Sequence, residues 1–271
     1  MISYNEFQLD EHQIDAVKKM HQKLAVMDYI KKNGVEPSNI SQYYTATENE
    51  LELHRRAFYA QYAQNQPYDP YNGHEYVDLG LPSGLKWATC NVGASTPTEY
   101  GDYFMWGSTT PNTNDNCAWE NAPFNNGSSS WDISYFYSVK NTVCPDGVLA
   151  LEYDGVRAIM GGEWRMPVIG EINELLNNTD QEWVYDYQGS GINGGLFTSK
   201  VDSDKSIFIP ASGGRFKSSN NSKGYNTRLW SSSIGSNSKD TAWSLHAYSD
   251  KFDFNENEVR YIGLPLRGVI A

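Results

Sequence analysis

"GGEWRMPVIGEINELL", residues 161–176, is the stretch on which the reading of the chain's second half turns. Pro167 suits the start of a helix, because the N–H it lacks is one that a first helical turn leaves unbonded anyway. Glu171 and Glu174 fall where the positive end of the helix dipole favours a carboxylate, and Asn177 or Asn178 can end the helix. Val168, Ile172, Leu175 and Leu176 share one face, so the helix has an apolar side to bury. Trp164 and Arg165, just ahead of it, read as a buried structural pair rather than a catalytic one. The preceding glycines are no phosphate loop, since no Gly-Lys-Ser or Gly-Lys-Thr follows.

Outward from this helix the apolar pattern shortens to the period of strands. "EYVDLGL" (75–81) and "LKWATCNV" (85–92) alternate around the turn "PSG". "SIFIPAS" (206–212), "TRLWSSS" (227–233), "TAWSLHA" (241–247) and "RYIGLPLRGV" (260–269) are four more short strand candidates. Residues Thr109 to Ser130, rich in Asn, Ser, Gly and Pro, read as a loop pinned by Trp119, Phe124 and Trp131. The stretch from Phe216 to Asp240 is also too polar to bury a core of its own.

Upstream, residues 1–66 read as helical. Val17, Met20, Leu24 and Met27, with Ile14 and Ile30 beside them, form an apolar stripe on one helix, which Gly34 and Pro37 break. A second helix covers Glu48 to Gln64, with Thr47 as N-cap and Glu50 completing a capping box. Two short helices cannot bury both stripes alone, so they pack on the main domain or on a partner subunit. "NQPYDPYNG" (65–73) is a Pro/Gly boundary, and no internal repeat is visible.

The 271 residues are 39% hydrophobic and 14% aromatic, ample for a core, and carry a formal charge of -12. That charge argues against a nucleic-acid or phosphate-binding role, because no basic stripe offsets it. No apolar run approaches the roughly 18 residues of a membrane span, and the first residues lack the basic and apolar regions of a signal peptide. Cys90, Cys117 and Cys144 are widely separated and form no CxxC pair, so they read as free thiols. His12, His21, His54, His74 and His246 show neither HxH nor HExxH spacing, which leaves no metal or triad signature.

Taken with "NGHEYVDLGLPSGLKWATCNVGA" (72–94), "EYGDYFMWG" (99–107), "SIFIPASGGR" (206–215), "LWSSS" (229–233) and "RYIGLPLRGV" (260–269), the opening stretch resembles a bacterial C-type-lectin-like domain. This form is common in Bacteroidetes and their phages, and the likeness runs from Tyr71 to the chain end. The resemblance implies paired first and last strands, two flanking helices and a small upper sheet that carries the ligand face. It places the first helix near "TPTEYGDYF" (96–104) and the second after Trp164. The expected fold is thus α+β. A C-type lectin-like ligand-binding domain with a small antiparallel sheet and two flanking helices occupies 67–271. An α-helical segment at 1–66, for packing or oligomerisation, precedes it.

A subset of such domains are variable proteins of diversity-generating retroelements, in which error-prone reverse transcription rewrites adenines in the 3′ part of the gene. AAC template codons become NNC, which encodes no Trp, Met, Lys, Glu or Gln. "WSSSIGSNSKDTAWSLHAYS" (230–249) is similar to the family pattern of scaffold letters interleaved with mutable ones. In "TAWSLHAYS", Trp243, Leu245 and Ala247 fall on one strand face, suited to the core, and Ser244, His246 and Tyr248 on the other, free to vary. Family pattern and alternation together assign the variable ligand-binding face to Asn226, Arg228, Ile234, Ser236, Asn237, Asp240, Thr241, Ser244, His246, Tyr248 and Ile262. Tyr248, Arg228 and His246 are its expected energetic anchors. Trp164, Trp230 and Trp243 are its expected scaffold.

Rival chemistries are weaker. Formylglycine-generating oxidases of the same fold use a cysteine pair late in the chain, whereas the last cysteine here is Cys144. The Glu-Pro-Asn and Trp-Asn-Asp triplets of calcium lectins do not occur. "DKFDFNENE" (250–258) offers Asp250, Asp253 and Glu256 to Ca²⁺, yet reads as a solvated acidic loop. The expected function is a non-enzymatic ligand- or receptor-binding protein without cofactor or metal, its C-terminal face diversified by a retroelement. The leading placement is a phage tail-tip receptor-binding protein in the virion, a homotrimer whose partner is a bacterial surface protein or glycan. A bacterial cell-surface adhesin or fimbrial tip subunit, and a structural virion protein without diversification, are the alternatives. Neither nucleic-acid binding nor membrane insertion is expected.

Overall fold

Short alternating runs, each soon interrupted by Gly, Pro or Asn, build short strands rather than one large sheet. The computed structural model describes residues 69–271 apart from 113–115, 127–132, 218 and 237–239. The chain divides between Tyr68 and Asp69. The expected helices of residues 1–66, with the Val17 to Met27 stripe, lie outside the described residues, as do Trp131 and Asn237.

The strands are β1 (Tyr76–Asp78), β2 (Lys86–Asn91), β3 (Thr179–Val184), β4 (Gly194–Ser199), β5 (Ser206–Pro210), β6 (Gly214–Phe216), β7 (Ser219–Asn221), β8 (Thr227–Ile234), β9 (Thr241–Ala247), β10 (Phe252–Val259) and β11 (Arg267–Ile270). Between β2 and β3 come α1 (Ile133–Val143), α2 (Gly155–Met160) and α3 (Ile169–Asn178). The described residues form small antiparallel sheets in the orders β1-β2-β11, β10-β9-β8, β3-β4-β5 and β6-β7. Mostly sheet with few helices, this is a mixed α and β architecture. The last strand returns to the first sheet, with Val269 opposite Trp87 and Ile270 opposite Lys86.

Helix α3 forms where its sequence predicts, for local reasons. The Glu171 carboxylate accepts the N–H of Val168 at 2.8 Å, satisfying a donor the first turn leaves open. The same carboxylate takes both arms of Arg165, at 2.5 and 2.7 Å, so Arg165 partners Glu171 rather than Trp164. That bond holds the Arg165 guanidinium above its usual pKa. Ile172 and Leu175 are the helix's fully buried residues.

Other expectations need correction. "TPTEYGDYF" is a run of turns ending in an isolated bridge between Phe104 and Leu264, not a helix. Pro97 and Gly101 interrupt it, and Glu99 spends its carboxylate on the N–H groups of Ser95 and Thr96. Helices α1 and α2 and strands β3 and β4 had no signal that the apolar pattern alone picked out. "FDFNENEV" is strand β10 rather than an acidic loop. There Lys251 holds the Asp253 carboxylate at 2.6 Å, occupying one of the three oxygen donors considered for Ca²⁺.

Two apolar clusters carry the stability. One gathers Phe104, Trp106, Phe136, Trp164 and Trp230, and the other gathers Trp87, Ile172, Leu175, Phe197, Leu229 and Leu245. Trp164 and Trp230 are fully buried, as scaffold residues should be. Trp243 is only half-buried, against Phe254 at 5.4 Å. The pairing register breaks beside it on both neighbours, between Trp230 and Ile234 on β8 and between Asn255 and Glu258 on β10. No regular cross-strand partner therefore covers the indole.

Arg267 joins three strands. Its Nε donates to Asn91 Oδ1 at 2.9 Å, and its two terminal nitrogens donate to the carbonyls of Ala88, Thr89 and Phe208 at 2.9–3.1 Å. Burial pushes this guanidinium down to about 10. Carbonyl dipoles satisfy its donors where no carboxylate reaches.

Candidate binding face

Strand pairing sets which side chains meet. Arg228 on β8 lies opposite His246 on β9, which in turn lies opposite Asp253 on β10. One step along, Trp230, Ser244 and Asn255 align in the same way, while Leu229, Leu245 and Phe254 occupy the row between. Because side chains alternate across a strand, the leucine row points to one face and the Arg228 and Trp230 rows to the other. The leucines and Phe254 pack into the Trp87 cluster. The expected separation of Ser244 and His246 from Leu245 and Ala247 is therefore present.

The exposure expected of the polar face is not uniform. Asn226 and Ser244 are fully buried, and Thr241, His246 and Ile234 are 5%, 7% and 9% exposed. Arg228, Asp240 and Ile262 are half-buried, and among the described positions of this set only Ser236 and Tyr248 are exposed. Strand β9 is the middle strand of its sheet, so β8 and β10 flank it. At its inner end this face meets a second layer: Trp230 Nε1 donates to the carbonyl of Phe104 at 2.8 Å, and its backbone N–H donates to Pro265. Ser244, opposite Trp230, is core. Five of the eleven positions thus belong to the packed interior rather than to an open surface.

The serines of "LWSSS" are equally buried. The backbone N–H of Ser232 donates to the Pro167 carbonyl at 2.8 Å, and the Ser233 hydroxyl accepts the N–H of Ile169 at 3.0 Å. The Ser232 carbonyl accepts from Leu149. These polar residues tie β8 to the start of α3, a use their composition conceals.

At the outer end of the same face the three expected anchors converge. The Glu258 carboxylate lies 3.0 Å from His246 Nε2 and 3.4 Å from Arg228 Nη1. His246 Nδ1 is 3.4 Å from the Tyr248 hydroxyl. Beside them Lys251 holds the Asp253 carboxyl below its usual range, chiefly through their hydrogen bond. Glu258, Asp253 and Lys251 were missed as members of this network. Phe252 and Phe254 alternating with Lys251, Asp253 and Asn255 is the period-2 signal that finds Lys251 and Asp253, whereas Glu258 lies beyond the register break and escapes it.

The network sets the exposed Tyr248 phenol and the half-buried Arg228 at the rim of a rigid sheet, over the buried His246 and Glu258 that hold them, chemistry suited to hydrogen-bonded recognition. It does not touch the thiols. Burial raises Cys117 to about 11 and raises Cys144 as well, which leaves both protonated and unreactive at neutral pH. A separate cavity of about 250 Å³ lies against β2 and the end of α2, lined by His74, Glu75, Cys90 and Met160 among others, and includes none of the expected face. No family model matches the chain, and comparisons with curated proteins and with solved structures return no match.

Proposed function

We propose that this chain is a non-enzymatic receptor-binding protein with a C-type lectin-like fold, its C-terminal face diversified by a retroelement, and that it acts at a phage tail tip. The observation that carries the reading is the meeting of Arg228, His246 and Tyr248 at one end of a sheet whose other face is packed core. A face of this kind can change its ligand while the core beneath keeps the fold. The return of β11 to the first sheet supports the lectin-like reading, although it pairs there with β2 rather than with the first strand, β1, as that reading has it. The partner is a bacterial surface protein or glycan. Weak single sites need avidity, which a homotrimer supplies.

Two tests bear on it. The neighbouring DNA should hold a near-copy of the 3′ coding region that differs almost only at adenines, beside a reverse transcriptase gene. The labelled full chain should adsorb to bacterial cells, and Arg228→Ala with Tyr248→Ala should reduce adsorption in a chain that circular dichroism shows still folded. Adsorption unchanged by the double substitution places the ligand elsewhere.

A further inference from the structure

In an acidic chain, residues 205–239 contain no Asp or Glu, and they carry Lys205, Arg215, Lys217, Lys223, Arg228 and Lys239. The expectation that no basic surface offsets the overall charge therefore fails locally. Folding gathers much of this run about the β6–β7 hairpin. Gly213, at φ 62°, lets the chain enter the hairpin so closely that any Cβ there would collide with the backbone of Asn221 and Lys223. Arg215 pairs across to Gly263, which anchors the hairpin beside Ile262.

Each basic side chain of the hairpin lies over an aromatic ring. The Arg215 guanidinium is 4.5 Å from the centre of Tyr103, Lys223 Nζ is 4.3 Å from Tyr100, and Lys217 Nζ is 5.4 Å from Trp119 and 5.8 Å from Phe216. Trp119, Phe216 and Tyr261 form a half-buried trio with ring centres 5.8–6.1 Å apart. Among the described residues, Arg215, Lys217 and Lys223 enter no ion pair. Arg215 bonds instead to Asn220 Oδ1 and the Asn112 carbonyl. Of the carboxylates near this surface, Glu258 is already held by Arg228 and His246, Asp240 lies within electrostatic reach of Tyr261, and Glu120 is exposed on the Trp119–Asn121 turn.

From this geometry we propose that the hairpin surface formed by Arg215, Lys217, Lys223, Trp119 and Phe216 binds an acidic glycan, a saccharide chain bearing uronate or sulfate groups. The proposal rests on the reading of this chain as a receptor-binding protein and adds to the Arg228 face a neighbouring contact surface, since Gly214 of the hairpin lies against Arg228 and Ile262. Two features together select that chemistry. Cations held only by aromatic faces and neutral acceptors are free to form charge-assisted hydrogen bonds to an incoming anion. The aromatic trio offers flat apolar surface to the C–H face of a sugar ring, which an acidic peptide lacks. Several such contacts along a repeating chain add up where each alone is weak.

The test measures binding of the full chain to dextran sulfate, polygalacturonate, neutral dextran and poly-L-glutamate at several salt concentrations. Dextran sulfate or polygalacturonate should bind, more weakly as salt rises, with neutral dextran inert and poly-L-glutamate about tenfold weaker or more. Which of the two acidic glycans binds identifies sulfate or uronate as the recognised group. Lys217→Ala with Lys223→Ala, both exposed, should weaken that binding about tenfold with the melting temperature unchanged. Equal binding to neutral dextran, equal binding to poly-L-glutamate, or no binding to either acidic glycan overturns the proposal. Adsorption to bacterial cells is scored in parallel. Cells bound without either acidic glycan sink this inference and leave the receptor-binding reading standing. Acidic glycan bound without cells does the reverse.

Discussion

Ser244 in β9 and Tyr248, one residue past its end, belong to the same expected face, and only one of them should tolerate change. Ser244 is fully buried, opposite Trp230 on β8 and Asn255 on β10, with the Trp230 indole tied to the Phe104 carbonyl beside it. Replacing it with Phe inserts a ring where those groups already touch, and overpacking of this kind costs about 1–3 kcal/mol. At about 2–4 °C per kcal/mol for a domain of this size, Ser244→Phe should lower the melting temperature by about 2–12 °C. Tyr248 is 36% exposed, and its hydroxyl makes one long contact to His246. Tyr248→Ala should stay within about 0.5 kcal/mol of the parent and move the melting temperature by no more than about 2 °C. Circular dichroism melts of the two variants, with adsorption to bacterial cells measured alongside, make the comparison. If Ser244→Phe melts with the parent, or Tyr248→Ala falls as far as Ser244→Phe, the division of this face into core and contact surface is wrong.

Other consequences are direct. Trp164→Ala and Trp230→Ala should each lose about 3–5 kcal/mol in urea titrations, whereas half-buried Trp243→Ala should lose less than about 3. Equal losses would place Trp243 in the core. Of the three cysteines, Cys90 alone is half-buried and should react with an aromatic disulfide in the native state at pH 8. Burial lifts the thiols of Cys117 and Cys144, so they should react only in denaturant or as the pH climbs toward their raised values, about 11 for Cys117. Light scattering on the full chain should return a trimer that Leu24→Glu dissociates. A monomer at micromolar concentration would mean that the Val17 to Met27 stripe serves its own domain.

Several elements were legible from residues alone because local chemistry decides them. Pro167, Glu171 and the apolar face through Ile172 and Leu175 specify α3 within a few residues. The alternation in "LKWATCNV", "SIFIPAS" and "TAWSLHA" specifies strands, and β8 and β9 pair so that Leu245 joins the Trp87 cluster while His246 lies on the opposite side of the sheet. The meeting of Arg228, His246 and Tyr248 follows from the same period of two. What alternation cannot supply is the number of layers above a face. Ser244 and Asn226 lie on the predicted outer side and, like the serines of β8, are polar yet buried. Segments remote in sequence lie against this strand: Phe104 and Pro265 bond to Trp230, opposite Ser244, while Leu149, Pro167 and Ile169 bond to the serines of β8. Glu258 joined the anchors for a related reason: a register break in β10 carried it to His246, and no local pattern records a break. Periodicity states which side chains share a side of a strand, whereas burial depends on what the rest of the chain lays over that side, and only tertiary packing decides it.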